Sequence, residues 1–224
     1  MTDSLNMGKK AFTTAVAAAT ILWSIGISSF VAPMTARAAS SGDLIKGTTL
    51  STVYYYGSDG SRYAFPNEKS YFSWYTDFSS VETISDSALA AIPLAGNVVY
   101  RAGSRWIKIQ SDPKTYVVTP MGQIRWIESE SVATGLAGSN WNTMIDDVAD
   151  TFFVDYTVGT SLTSAAAAFN GAYVSMGGSN YLVDGSEKRL VTSAGASANW
   201  FQARNLLDGA DITLSSLSAG SDVT

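Results

Sequence analysis

Apolar and polar positions follow a pattern that occurs three times after residue 41. Each copy opens on a glycine and continues through three short runs of apolar, aromatic and β-branched residues, separated by turns rich in Gly, Ser and Asp. The runs span 44–46, 53–56 and 62–65 in the first copy, 105–109, 115–118 and 124–127 in the second, and 173–176, 180–183 and 188–191 in the third. Short runs of this kind between tight turns predict a three-stranded antiparallel meander in each copy.

Each meander is followed by a segment with helical spacing. Asn67 and Ser129 precede acidic residues and an apolar face in the first two copies, so we predict that both are helix N-caps. Residues 194–201 form a weaker third segment. Large aromatic residues come next, and we expect them to fill the space between helix and sheet: Phe78, Trp141, and Trp200 or Phe201.

Three aspartates begin the last element of each copy. Asp86, Asp150 and Asp211 each have large apolar residues three and six positions later, which predicts one or two helical turns with the aspartate as N-cap. Calcium binding is the alternative role for these aspartates. Residues 97–100 favour a strand that leads into the second copy.

These elements predict an α+β fold of three tandem units, each a short antiparallel β-meander followed by helices. Self-similarity at a period of roughly 60 residues is typical of repeat architectures. The predicted units are residues 39–97, 98–159 and 171–224, with 160–170 as a linker. Repeat arrays normally end with an atypical capping unit. The third unit has none, so we expect it to be a truncated copy.

Residues 1–38 have the features of an export signal. Lys9 and Lys10 precede an uncharged segment, and Ala36-Arg37-Ala38 offers the small residues that a signal peptidase accepts. We expect cleavage after Ala38, with cleavage after Ala39 as the alternative; an uncleaved membrane anchor is the competing interpretation. The protein is therefore expected to be exported to the cell surface or beyond, and to contact a membrane only through this signal.

The charge and composition exclude several classes of function. The formal charge is −5, and it becomes −7 once the signal, with three basic residues and one acidic residue, is removed. An acidic chain without a basic cluster argues against nucleic acid as a partner. The chain has no histidine and no cysteine, which excludes Ser-His-Asp and Cys-His catalysis and nearly all zinc, copper and haem sites. We therefore predict a protein that is not an enzyme and needs no cofactor, with calcium as the one metal considered.

Three groups of residues are candidate sites. Aromatic side chains stack on sugar rings, which makes a dense tyrosine-rich region a candidate glycan site: Tyr54, Tyr56, Tyr63 and Trp74. Clustered carboxylates suit calcium, although their spacing matches no EF-hand loop: Asp146, Asp147 and Asp150. Glu68 and Glu130 are the best carboxylate pair for a glycosidase, but they occupy equivalent places in two copies and are better explained as acids in the first turn of a helix.

The segment from Val53 to Tyr75, VYYYGSDGSRYAFPNEKSYFSWY, resembles a repeat in exported surface proteins of ultra-small bacteria of the candidate phyla radiation. The continuation from Val81 to Leu89 and the signal segment from Met7 to Phe30 are similar to theirs as well. The resemblance covers most of the chain from Met7 to Gly220 and is strongest in the first copy. It implies a cell-envelope protein, as a surface-layer or adhesion component, and it transfers no catalytic residue.

Together these observations predict a non-catalytic structural or adhesive protein of the cell envelope. It would act in a surface layer or in surface attachment, through assembly of its repeats with other copies of itself. The alternative is a carbohydrate-binding module that anchors the protein to peptidoglycan or surface glycan.

Overall fold

The computed structural model describes residues 39–166 and 168–224. The predicted export signal lies outside the described residues. The described chain is a mixed α+β structure with three small sheets and a few short helices. No helix in these two ranges has the length and apolar character that crossing a membrane requires.

The first sheet has five strands in the order β4-β1-β2-β3-β5. Its strands and helices, in chain order, are β1 (Leu44–Lys46), β2 (Val53–Tyr56), β3 (Arg62–Ala64), α1 (Glu68–Trp74), β4 (Val81–Thr83), α2 (Asp86–Ala91) and β5 (Leu94–Asn97). The first three strands form an antiparallel meander. After α1 the chain returns as β4, parallel to β1, and after α2 it returns as β5, parallel to β3.

The second sheet also has five strands, in the order β10-β8-β7-β6-β9. Its elements are β6 (Trp106–Ile109), β7 (Asp112–Thr119), β8 (Gln123–Trp126), α3 (Glu130–Ala137), β9 (Ile145–Asp147), α4 (Asp150–Phe153) and β10 (Thr157–Val158). Short 3-10 helices occur at Pro120–Gly122 and Trp141–Met144. The meander is again antiparallel, β9 is parallel to β6, and β10 is parallel to β8.

The third sheet has four strands in the order β11-β12-β13-β14. Its elements are β11 (Tyr173–Met176), β12 (Ser179–Asp184), β13 (Glu187–Leu190), α5 (Ser193–Ala198), a 3-10 helix (Ala203–Asn205) and β14 (Ser218–Ala219). β14 is parallel to β13, and Leu207 forms an isolated parallel bridge with Val174 of β11.

The nine predicted meander strands are confirmed, with ends that differ from the prediction by at most a few residues. The prediction for residues 97–100 is wrong. The strand there is β5, which ends at Asn97 and extends the first sheet, because Arg62 donates to the Pro93 carbonyl and Val98 donates to the Ala64 carbonyl. It therefore does not lead into the second sheet as an element of its own.

The predicted N-caps of α1 and α3 are confirmed. The Asn67 side chain accepts a hydrogen bond from the Ser70 amide at 2.9 Å, and the Ser129 hydroxyl accepts one from the Val132 amide at 3.3 Å. Thr192 caps α5 in the same way. These side chains satisfy amides that have no partner inside the helix.

The prediction that the three aspartates are N-caps is wrong. Ser85 caps α2, and Asp86 is the first helical residue. Its carboxylate instead accepts hydrogen bonds from the amides and hydroxyls of Thr48 and Thr49 in the β1–β2 loop. Asp150 likewise follows its N-cap, and Asp211 lies in a turn outside the helices. At α2 the Ser85 hydroxyl takes the capping role, whereas at α4 the N-cap is Ala149, which makes no side-chain hydrogen bond.

The largest apolar cluster is shared by the second and third sheets. It includes Trp106 and Val117 of the second sheet with Leu136 of α3, and Val174 of the third sheet with its bridge partner Leu207. The first sheet has a separate cluster around Leu44, Phe65 and Tyr71. Second and third sheets therefore depend on one another for burial, whereas the first sheet mostly buries its own apolar face.

The aromatic residues that were predicted to fill the space between helix and sheet do so in two of the three sheets. Trp141 packs on Trp106 at 6.3 Å between ring centroids, and Phe201 packs on Tyr173 at 4.8 Å, so both fill space beside their sheets. Phe78 is 47% exposed and stacks on the outer side of Tyr71. The prediction for Phe78 is wrong, because Tyr71 already fills the space beneath α1.

Two glycine turns let the second and third sheets approach closely. Gly103 and Gly171, which open the second and third copies, have φ angles of +66° and +90°. A Cβ atom on Gly103 would overlap the Gly171 carbonyl oxygen and lie 2.7 Å from its carbon. Glycine is required there by its backbone conformation and by the neighbouring backbone.

The first and third sheets are also joined by hydrogen bonds. The Gln202 side chain donates to the carbonyls of Phe72 and Tyr75 at 2.8 and 3.3 Å, and Arg204 donates to the Phe72 carbonyl at 2.8 Å. These carbonyls lie at the C-terminal end of α1, where backbone acceptors have no partner inside the helix and where a positive charge is favoured.

Candidate functional site

An aromatic cavity of about 490 Å³ lies between the first sheet and α1. Eight residues line it: Tyr55, Tyr63, Phe65, Trp74, Tyr75, Asn97, Val98 and Val99. Five of the eight are aromatic, and one is an amide. We call it the aromatic cavity.

Strand alternation explains which tyrosines reach the cavity. Successive side chains in a strand point to opposite faces of the sheet. Tyr55 therefore points to the opposite face from Tyr54 and Tyr56, and it packs in the cluster beneath α1. Tyr63 of β3 is the direct partner of Tyr55 in the antiparallel register, so the two side chains share a face.

The helix supplies the opposite wall. The indole of Trp74 donates to the Val99 carbonyl at 2.8 Å, which fixes the orientation of its ring. Tyr75 packs edge-on against Phe65 at 6.1 Å between ring centroids, and against Trp200 at 5.9 Å. Rings held on several sides lose little freedom when a ligand binds, which favours affinity.

Of the three tyrosine hydroxyls at the cavity, one forms a hydrogen bond within the described part of the chain and two do not. The Tyr63 hydroxyl donates to Asp59 at 2.7 Å, which raises the pKa of Tyr63 and lowers the pKa of Asp59. Burial, together with Tyr55 nearby, raises the pKa of Tyr75. The hydroxyls of Tyr55 and Tyr75 make no hydrogen bond within the described part of the chain, so each can donate to and accept from a ligand.

Asn97 completes the polar side of the cavity. Its side-chain amide donates to Asp155 at 3.0 Å, which ties the end of β5 to the segment after α4. The amide carbonyl of Asn97 accepts no hydrogen bond from a described residue. The cavity therefore offers two hydroxyls and one acceptor among aromatic rings, a combination that suits a sugar ring with one apolar face and a polar edge.

The four predicted glycan residues do not form one platform. Tyr63 and Trp74 line the aromatic cavity, whereas Tyr54 and Tyr56 lie on the other face of the sheet. The Arg62 guanidinium lies 5.0 Å from the centre of the Tyr54 ring and also donates to the Leu89 carbonyl of α2. Arg62 and α2 thus partly cover the face that Tyr54 occupies.

The predicted glycan residues omit six of the eight cavity residues: Tyr55, Phe65, Tyr75, Asn97, Val98 and Val99. Strand alternation in β2 places Tyr55 on the face opposite Tyr54. This pattern identifies Tyr55 as a cavity residue once it is known which face of the sheet α1 covers. Asn97 gives no such signal. It reaches the cavity only because β5 pairs with β3.

The predicted calcium ligands are not brought together. Asp146 pairs with Arg105 through two contacts of 3.3 Å, and Asp147 pairs with Lys108 at 3.2 Å. The two aspartates are consecutive in β9 and point to opposite faces. Asp150 is exposed at the start of α4, and the described residues contain no group of three or more acidic side chains that could hold a metal. Calcium binding stays a prediction without support from this geometry.

The two glutamates considered for hydrolysis occupy different helices. Glu68 is the first residue of α1, and Glu130 is the first residue of α3. Glu130 lines a cavity of about 260 Å³ together with Trp126 and Trp141, and Glu68 is not part of that lining. Both are exposed acids in a first helical turn, as expected for residues that stabilise a helix N-terminus.

Comparison with known proteins finds no match: no family model, no curated protein and no solved structure resembles the chain at a significant level.

Proposed function

We propose that the chain is a non-catalytic, exported protein of the cell envelope that attaches to a surface glycan through the aromatic cavity. The observation that carries this proposal is the set of five aromatic rings around a cavity of about 490 Å³, in which the Tyr55 and Tyr75 hydroxyls make no hydrogen bond to a described residue. That size lies within the range of ~300–1,000 Å³ usual for small-ligand sites. Surface location rests on the sequence of residues 1–38 and on the resemblance to exported surface proteins.

We further propose that the three sheets are three copies of one repeat unit. The same backbone hydrogen bond opens each sheet, and three donor–acceptor pairs support the equivalence: Gly42 to Tyr56, Gly103 to Val118, and Gly171 to Val183. A second set closes each meander: Phe65 to Val53, Ile127 to Thr115, and Val191 to Asn180. In each sheet a later strand is parallel to the third meander strand.

This equivalence gives a reason for the aromatic cavity to lie in the first sheet. The position two residues before Phe65 is Tyr63, and the matching positions in the other sheets are Arg125 and Arg189. Arg125 donates to the carbonyls of residues 160 and 161, which follow β10, and Arg189 donates to the carbonyl of residue 221, which follows β14. Each arginine therefore contacts the segment that follows the edge strand of its sheet. Tyr63 turns instead to Asp59, and the space beside the edge segment stays open.

The proposal is tested by sedimentation of the purified protein with cell-wall glycan. We expect Tyr55→Ala to weaken binding by about tenfold, because a ring and a hydroxyl in the cavity are both lost. Tyr54→Ala is the matched control, since it removes the same group from the adjacent position on the other face. Equal losses in the two variants, or no retention of the unchanged protein, would contradict the proposal.

Assembly with other copies is a second candidate, favoured by two edge strands. Leu94 in β5 and Val158 in β10 are 58% and 60% exposed at the outer edges of the first and second sheets. Exposed apolar edges are available for pairing with another chain. The double variant Leu94→Lys, Val158→Lys should abolish any concentration-dependent increase in sedimentation coefficient. If the unchanged protein sediments as a monomer at all concentrations, this candidate is rejected.

A further inference from the structure

A second cavity, of about 430 Å³, lies where α1, the segment after β5 and the second and third sheets meet. We call it the central cavity. Among its lining residues are Trp74, Val99, Arg101, Asn170, Asp184 and Phe201. Trp74 and Val99 line the aromatic cavity as well, so the two cavities are neighbours on either side of these residues.

Arg101 is the positively charged residue of the central cavity, and its side chain is held firmly. The guanidinium lies 4.3 Å from the centre of the Phe201 ring and 5.8 Å from that of Trp74. One terminal nitrogen donates to the carbonyls of Asn199 and Trp200 at 2.6 and 3.3 Å. Stacking and these two hydrogen bonds fix the plane of the guanidinium in advance of any ligand.

The charge of Arg101 has no counter-ion in the described part of the chain. Its Nε and its second terminal nitrogen make no hydrogen bond to a described residue, and its side chain forms no ion pair there. Arginine carries five N–H donors and remains charged in proteins. Arg101 is half-buried and lines the central cavity, so its two unused nitrogens can donate to a ligand there.

The other polar groups of the central cavity favour an anion with a single charge. Asn170 uses its side-chain carbonyl to accept from the Gly185 amide at 2.9 Å, which leaves its NH₂ group as a donor. Asp184 is the other charged lining residue, and its carboxylate pairs with Arg189 at 3.2 Å. Asp184 repels a doubly charged group more strongly than a carboxylate, and a carboxylate also matches the fork of donors on Arg101.

We propose that the glycan is acidic: one sugar ring occupies the aromatic cavity, and a carboxylate on the same or the next sugar binds Arg101 in the central cavity. This inference rests on the proposed function and adds the chemical class of its ligand. Trp74 stands between the two sites, with its ring available to the sugar and close to the guanidinium that receives the carboxylate.

The test is an array of oligosaccharides that end in uronic, N-acetylmuramic or sialic acid, each printed beside its methyl ester. Each ester differs from its acid by one added methyl group and the loss of the charge. We expect the protein to bind at least one acid about tenfold more tightly than its ester, because a charge-assisted hydrogen bond to arginine is lost in the ester. Raising the salt concentration should weaken binding of the acid and leave that of the ester unchanged.

Variants then assign the preference to Arg101. Arg101→Gln should reduce the acid-to-ester affinity ratio to about one. Arg125→Gln removes the same charge away from both cavities and should keep the ratio. Thermal unfolding establishes that each variant is folded; if Arg101→Gln is not, the acid-to-ester ratio of the unchanged protein still decides the question.

The outcomes separate this inference from the proposed function. Equal binding of acids and esters overturns the acidic ligand and leaves glycan attachment standing. Failure to bind any glycan overturns both. A preference for acids that persists in Arg101→Gln overturns the assignment of the carboxylate to the central cavity.

Discussion

Replacing Gly103 by alanine tests the close approach of the second and third sheets. Gly42 occupies the corresponding turn of the first sheet, with φ +96°, and no described atom lies within 4 Å of the position its Cβ would take. Gly103 has φ +66°, and its Cβ would overlap the backbone at Gly171. Both substitutions strain the backbone, but only Gly103→Ala also forces two backbone segments apart.

The magnitudes follow from these two terms. A positive φ costs an alanine about 1–2 kcal/mol, and this is the whole expected loss for Gly42→Ala. Overpacking adds about 1–3 kcal/mol, so Gly103→Ala should lower the free energy of unfolding by about 2–5 kcal/mol. With a urea m-value of about 2 kcal/mol per M, the difference between the two variants corresponds to a midpoint lower by about 1 M for Gly103→Ala.

The assay is urea unfolding of the unchanged protein and the two variants, followed by tryptophan fluorescence. The φ angle of Gly42 is at least as unfavourable for alanine as that of Gly103. Any additional loss of unfolding free energy in Gly103→Ala therefore measures the contact with Gly171. Equal midpoints for the two variants would refute the reasoning and would mean that the two sheets separate without cost.

Two further predictions concern the core and the β1–β2 loop. Leu136→Ala removes a fully buried side chain from the cluster shared by the second and third sheets. It should lower the free energy of unfolding by about 2–5 kcal/mol and the melting temperature by about 10 °C. A change in the fluorescence of tryptophans in only one of the two sheets would argue against a shared core. Asp86 accepts hydrogen bonds from Thr48 and Thr49, which lower its pKa from 3.8 to about 2. Its stabilising effect is therefore complete above the unfolded pKa and is lost as the pH falls towards 2. The difference in urea midpoint between the unchanged protein and Asp86→Asn should be constant from pH 7 to 5 and should be mostly lost by pH 2; a difference independent of pH would show that the carboxylate charge is not involved.

Local patterns predicted the elements well. The runs 53–56 and 173–176 became strands with the predicted ends, and Asn67 and Ser129 became N-caps, because each depends on residues within a few positions. The prediction that Asp86 is an N-cap was wrong because the partners of this side chain are not local. Asp86 is drawn to Thr48 and Thr49, which lie far away in sequence, and no local pattern indicates that partnership.

The candidate site was predicted only in part because it depends on pairing between distant strands. Tyr63 and Trp74 stood out by residue type, but the wall formed by Asn97 exists only once β5 has paired with β3. The central cavity was not predicted at all. Arg101 is isolated in the sequence, and its neighbours Trp74 and Phe201 are brought to it by the packing of three sheets.

The bonds from Gln202 and Arg204 to the end of α1 shape how the protein would carry a mechanical load. They connect the first sheet to the third directly, across about 130 residues of chain. Tension applied between those two sheets would pass through these side chains, and the second sheet would be shielded until they break. Under such tension the chain would then yield in stages, with a small extension before the larger unravelling of its sheets.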